Sequence, residues 1–112
     1  MSENFNFYGQ TTFINRPVDT VIQDFQNSYA SVIGQEDLSR LLRLVLSSQD
    51  LPDDTKEDAA ATVDEVAKDL VDPQPNKDAV HTKLEKLRTI VSRAADIAVP
   101  ALQIIAAVLI LI

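Results

Sequence analysis

Ile97-Ala98-Val99-Pro100-Ala101-Leu102-Gln103-Ile104-Ile105-Ala106-Ala107-Val108-Leu109-Ile110-Leu111-Ile112 is the stretch whose reading decides the fold. It holds no charged side chain, one strongly polar one (Gln103) and one proline. From Ala101 it is apolar on every helical face: Leu102, Ile105, Leu109 and Ile112 make one side, and Ile104, Val108 and Leu111 the next. Such a segment needs an apolar home, either this chain's own core, another copy of the chain, or a bilayer. A spanning helix wants ~20 apolar residues, and this run of 16 reaches roughly 24 Å against a ~30 Å hydrocarbon layer. No Trp/Tyr belt or terminal lysine anchors it. Burial in a bundle core or an oligomer interface is therefore expected ahead of membrane entry through residues 97–112.

Upstream of the tail is the most regular helical pattern. Val80, Leu84, Leu87, Val91, Ala94 and Ala98 are spaced four, three, four, three, four, as in a coiled-coil seam. Lys77, Lys83, Lys86, Arg88 and Arg93 take the other faces. Asn76 is suited to cap this helix, and Asp72-Pro73-Gln74-Pro75 stops the one before it. That earlier helix starts near Asp53 and runs to about Val71. Asp53, Asp54, Glu57 and Asp58 fill its first turns, and its stripe is Ala59, Val63, Val66 and Leu70. The short loop predicts an antiparallel hairpin, acidic against basic, whose seam is Val63, Val66 and Leu70 on Leu84, Leu87 and Val91.

Before it, Leu38, Leu41, Leu42 and Val45, with Leu44 and Leu46 off the stripe, give a central helix from about Glu36 to Ser48. Another begins at Pro17, carries Val18, Val21, Ile22, Phe25, Tyr29, Val32 and Ile33, and is expected to end at Gly34. Asn4 to Asn15 reads differently. Phe5 and Phe7 alternate with Asn4 and Asn6, Thr11 to Ile14 suit a strand, and Gly9-Gln10 fits a type II′ turn. Strands near 4–8 and 11–14 are expected, packed on the bundle or exchanged between copies. The whole is one mainly α domain, residues 1–112. It comprises an arm or short β-hairpin (1–15), a helical bundle (16–98) and an apolar C-terminal helix (99–112), a bundle of four to five helices in all.

Net charge is −7, and residues 50–72 alone carry nine acids against two bases. With no basic stripe, nucleic acid is a poor partner. The absence of cysteine removes disulfides and thiolate metal sites. Met1 to Asn6 lacks the basic patch and apolar run of a signal peptide, so cytoplasmic residence is expected. His81 lies at helical spacing from Asp78 and Glu85, but a lone histidine reads as a solvated surface residue rather than a metal ligand. Asp53, Asp54, Glu57 and Asp58 lack the calcium-loop pattern. Ser39, Ser47, Ser48 and Ser92 have no base in sequence reach, and Gly9 and Gly34 cannot build a phosphate loop. No catalytic residue, cofactor or metal is expected.

The Asn/Phe/Gly-rich N-terminus, the acidic helix, and Pro75-Asn76-Lys77 opening a helix with Leu84-x-x-Leu87 resemble small uncharacterised bacterial helical proteins and effector-associated modules. Such modules are found near conflict and phage-defence systems. The resemblance implies no catalytic residues. It implies self-association or coupling to a second protein, and membrane damage for members with apolar tails. The unbroken tail departs from the group and raises the membrane option. The expected function is a self-associating helical module, with Phe5, Phe7, Phe13, Leu102, Ile105, Leu109 and Ile112 at an interface. The alternative is a small pore-forming or membrane-disrupting effector that inserts its C-terminal helix.

Overall fold

The structure is a computed structural model and describes residues 17–111. Five α-helices account for about three-quarters of them, with no strand among the described residues: α1 Val18–Ser28, α2 Gln35–Ser47, α3 Asp53–Val71, α4 Lys77–Val91 and α5 Ala98–Leu111. The expected strands near 4–8 and 11–14 lie outside the described residues.

Helices α2, α3, α4 and α5 form a closed ring, each packed on the next and α5 returning to α2, while α1 lies on α2. The leucine-rich α2 is central because its apolar surface is wide enough to meet α1, α3 and α5 at once. Leu38, Leu41, Leu42 and Val45 are fully buried. On α3, Ala59, Ala60 and Ala67 are as buried as Val63 and Val66. The small side chains let α3 sit close between α2 and α4. Leu84, Leu87 and Val91 of α4 are fully buried and Leu70 is half-buried. Lys83 reaches Asp69 at 2.6 Å and Lys86 reaches Asp58 at 2.9 Å across the α3–α4 hairpin, as the opposed charge patterns predict. The Lys83–Asp69 pair is part-buried and the Lys86–Asp58 pair exposed; surface pairs contribute only ~0–1 kcal/mol, so the buried seam holds the hairpin.

Two helix ends correct the sequence expectation. The first helix stops at Ser28 rather than running to Gly34. Asn27, Ser28 and Ser31 are weak helix formers, and Tyr29 leaves helical geometry to send its side chain onto α3. Gly34 instead precedes α2 in the left-handed region, at φ 80°, and its carbonyl accepts from the Leu38 N–H. The fourth helix ends at Val91, so the heptad-like pattern through Ala94 and Ala98 is not one helix. Ala94 and Ile97 are still buried, but in a turn pinned by Asp96. At the other end of α4, the Asn76 side chain accepts from the Ala79 N–H, as expected of a cap. Pro100 sits in the first turn of α5, where its missing N–H costs no intrahelical bond.

Candidate interaction surfaces

Helix α5 is two-sided in its surroundings although apolar but for Gln103. Ala101, Ile104, Ile105 and Val108 are buried, in a helix flanked by α2 and α4. On the far side Val99, Gln103, Ala106 and Ile110 are exposed, spaced four, three, four. Val99 is 68% and Ile110 84% exposed, which is unusual for such side chains on a face without a single charge. Leu102 and Leu109 form half-buried shoulders along this stripe. Thus Ile105 is a core residue here, Leu102 and Leu109 lie at the margin, and Phe5, Phe7, Phe13 and Ile112 lie outside the described residues. At 14 residues, α5 falls short of a span: among the described residues no helix is long and apolar enough to cross a membrane.

A second apolar surface lies at one end of the bundle. The C-terminal ends of α3 and α5 meet the α1–α2 and α3–α4 loops there, enclosing an open groove of about 320 Å³. Ile33, Leu70, Val71 and Leu111 line it with Pro73 and Pro75. Ile33 and Val71 are mostly exposed. Asp72 and Lys77 stand on its rim with opposite signs. The turn before α2 packs closely on this corner: a Cβ added at Gly34 would lie 3.2 Å from Leu111 Cδ1.

Two polar clusters were not singled out in the sequence. Tyr29 donates its hydroxyl to Asp64 Oδ1, and Asp64 is fully buried on α3. Lys68 Nζ lies 3.2 Å from Asp64 Oδ2 and supplies an opposite charge, although Oδ2 receives no aligned hydrogen bond. Burial raises the Tyr29 phenol well above the usual tyrosine value, and the Asp64 hydrogen bond and charge push it the same way. The signal that could have found Asp64 is its position between Ala60 and Ala67, at spacings of four and three. The other cluster joins two loops. Ser48 Oγ and the Gln49 N–H donate to the two oxygens of Asp96, each at 2.8 Å. The Asp96 N–H in turn donates to Asp50 Oδ2 at 2.9 Å. The Gln49 N–H is the main cause holding the Asp96 carboxyl below its ordinary value; Ser48 adds to it. Sequence spacing gives no hint of this clasp, because its members are 46 to 48 positions apart.

The first cluster bonds inward, from the turn after α1 to α3, and the second bonds loop to loop. His81 is exposed, and no group of three acids or histidines suited to a metal occurs among the described residues. Comparison with protein-family models, with curated proteins and with solved structures found no match.

Proposed function

We propose that this chain is a non-enzymatic helical interaction module that associates with further copies of itself through the outward face of α5. The carrying observation is the uncharged stripe Val99, Gln103, Ala106 and Ile110, apolar but for Gln103 and exposed to water. Two copies each bearing −7 repel one another over most of their surfaces. A face without charge is where they meet at least cost. The four-three-four spacing suits helix-on-helix packing, and Ala106 at its centre permits close approach. The N-terminal arm, read as a short hairpin, belongs to the same module. By its resemblance the module would serve a bacterial conflict or defence system in the cytoplasm, with a second protein as a further partner.

Sedimentation of the intact chain tests this reading. An oligomer is expected, and Ile110→Lys should yield a monomer with undiminished helical content. A monomeric intact chain, or an oligomer indifferent to both Val99→Lys and Ile110→Lys, would overturn it. The second reading, a membrane-active effector, draws on the same stripe. An uncharged helix of ~21 Å can lie in a bilayer interface even where it cannot span one. Flotation with liposomes and dye leakage from them separate the two.

A further inference from the structure

We propose that the α5 stripe closes a two-fold dimer in which the two helices run antiparallel, and that Gln103 fixes that direction. The inference rests on the self-association reading and gives it an arrangement. The spacing of Val99, Gln103, Ala106 and Ile110 is the same read from either end, so a second copy can lie on it parallel or reversed. The side chains decide between the two. Parallel and in register, Gln103 meets the partner subunit's Gln103 and Ala106 meets the partner subunit's Ala106. Two long side chains then crowd one level and a gap is left at the next. Reversed, each Gln103 lies over the partner subunit's Ala106, long against small, as close packing requires. Val99 then faces the partner subunit's Ile110 at both ends, so the most exposed apolar side chains of the stripe cover one another. The two Gln103 amides stand about three positions apart along the paired helices, ~4.5 Å of rise, near enough for one to donate to the other across the two-fold axis. A polar side chain satisfied in only one alignment selects that alignment, as a polar residue in a coiled-coil seam does. Reversal also sets each positive helix N-terminus beside the partner's negative C-terminus.

The flanking charges agree. Ser48 bonds Asp96 and Gly34 lies against Leu111, so α2 runs opposite to α5. Asp37 and Arg40 border α5 beside Gln103 and Ala107. Arg40 is therefore level with the middle of the stripe, and Asp37 stands one turn nearer Leu111. An antiparallel two-fold turns α2 of one copy toward α2 of the other. Arg40, whose side chain is 66% exposed, then comes within ~6 Å, along the helix axis, of the partner subunit's Asp37. Each copy supplies one base and one acid, so two reciprocal pairs form at the rim. Such an interface uses the same patch on both copies and closes at two.

The chain contains no cysteine, so Val99→Cys and Ile110→Cys each introduce one thiol, both at positions exposed to water. The two full-length variants, one carrying a size tag, are mixed and equilibrated in a glutathione buffer. Facing Cα atoms of packed helices fall within the ~4–7 Å that a disulfide bridges, whereas like positions in the antiparallel pair are about 11 residues, or ~16 Å, apart. The mixed 99–110 disulfide should dominate, in a dimer and nothing larger. Like-with-like disulfides, a dimer that traps none, or a higher oligomer would overturn the arrangement while leaving self-association in place. A native chain that sediments as a monomer would remove both. Gln103→Leu in the same pair should remain dimeric but trap like and mixed disulfides together; mixed disulfides alone would deny Gln103 its part. Should either thiol variant dissociate, Val99→Lys mixed with Ile110→Glu takes its place. That mixture should regain the dimer that each variant lacks alone, and a mixture that stays monomeric would overturn the reversed alignment.

Discussion

The Tyr29 hydroxyl donates to Asp64 Oδ1 at 2.5 Å, joining the turn after α1 to the middle of α3 across 35 positions of sequence. It is the contact that gives α1, otherwise packed mainly on α2, a fixed polar attachment inside the core. The Phe25 ring lies 5.0 Å from that of Tyr29, centroid to centroid, so the phenol is held by packing as well as by its hydrogen bond.

Tyr29→Phe should therefore cost about 1–3 kcal/mol, because it leaves a buried carboxylate oxygen without its donor. It should also change behaviour in alkali. The folded phenol is raised above the unfolded value of about 10, so its contribution is fully present below that pH and is lost as pH rises beyond it. Urea midpoints measured from neutral pH to above 10 should fall for the native protein, and Tyr29→Phe should lack that part of the fall.

Asp96 has the opposite dependence. Its carboxyl is held below the ordinary value of about 3.9 chiefly by the Gln49 N–H, so its contribution is present above that value and is lost as pH falls through the folded one. Asp96→Ala should lower the melting temperature at neutral pH by releasing the loop after α2 from the loop before α5. The gap from the native protein should close in strong acid. A gap that is constant down to the lowest pH would locate the effect in packing rather than in the clasp.

Gly34→Ala combines two effects that can be separated. The left-handed backbone at φ 80° costs an ordinary residue about 1–2 kcal/mol. The added methyl also meets Leu111 Cδ1 at 3.2 Å. In a Leu111→Ala background the contact is gone and only the backbone part should remain, as a urea-denaturation cycle over the four proteins would show.

The helices were legible in the sequence wherever periodicity and punctuation agreed. Asp53–Val71 and Lys77–Val91 are bracketed by prolines and the Asn76 cap, and their apolar positions repeat at four and three. Legibility failed where a long-range polar contact set the boundary. Tyr29 satisfies the periodicity of α1 yet ends it, because Asp64 draws its side chain away. Ala94 satisfies the seam of α4 yet lies in a turn, because Asp96 is bound by the loop at Ser48 and Gln49. The apolar tail was legible as a helix in need of cover. Which of its faces the bundle covers was not, since a helix apolar all round has no sequence direction that marks its inside.

Leu87 is fully buried in the α3–α4 hairpin. Truncation to alanine removes most of a fully buried side chain, so Leu87→Ala should cost ~2–5 kcal/mol. A cost below about half a kcal/mol, measured by chemical denaturation, would mean the hairpin tolerates a cavity there by closing around it.

The decisive contrast is between the two faces of α5. Ile105 is 2% exposed and Ile110 84%, in the same helix and five residues apart. Ile105→Lys places an unpaired charge inside the ring of helices and should unfold the protein, with loss of helical circular dichroism. Ile110→Lys places the same charge in water and should leave the fold intact. Removing α5 altogether, in a fragment of residues 1–98, opens the ring by uncovering the sides of α2 and α4 on which α5 packs. That fragment should aggregate or bind a hydrophobic dye strongly. A monomeric, cooperatively folded 1–98 fragment would show that α5 is dispensable to the bundle. Joined to leakage of liposomes by the intact chain, it would replace self-association with membrane entry as the work of this helix.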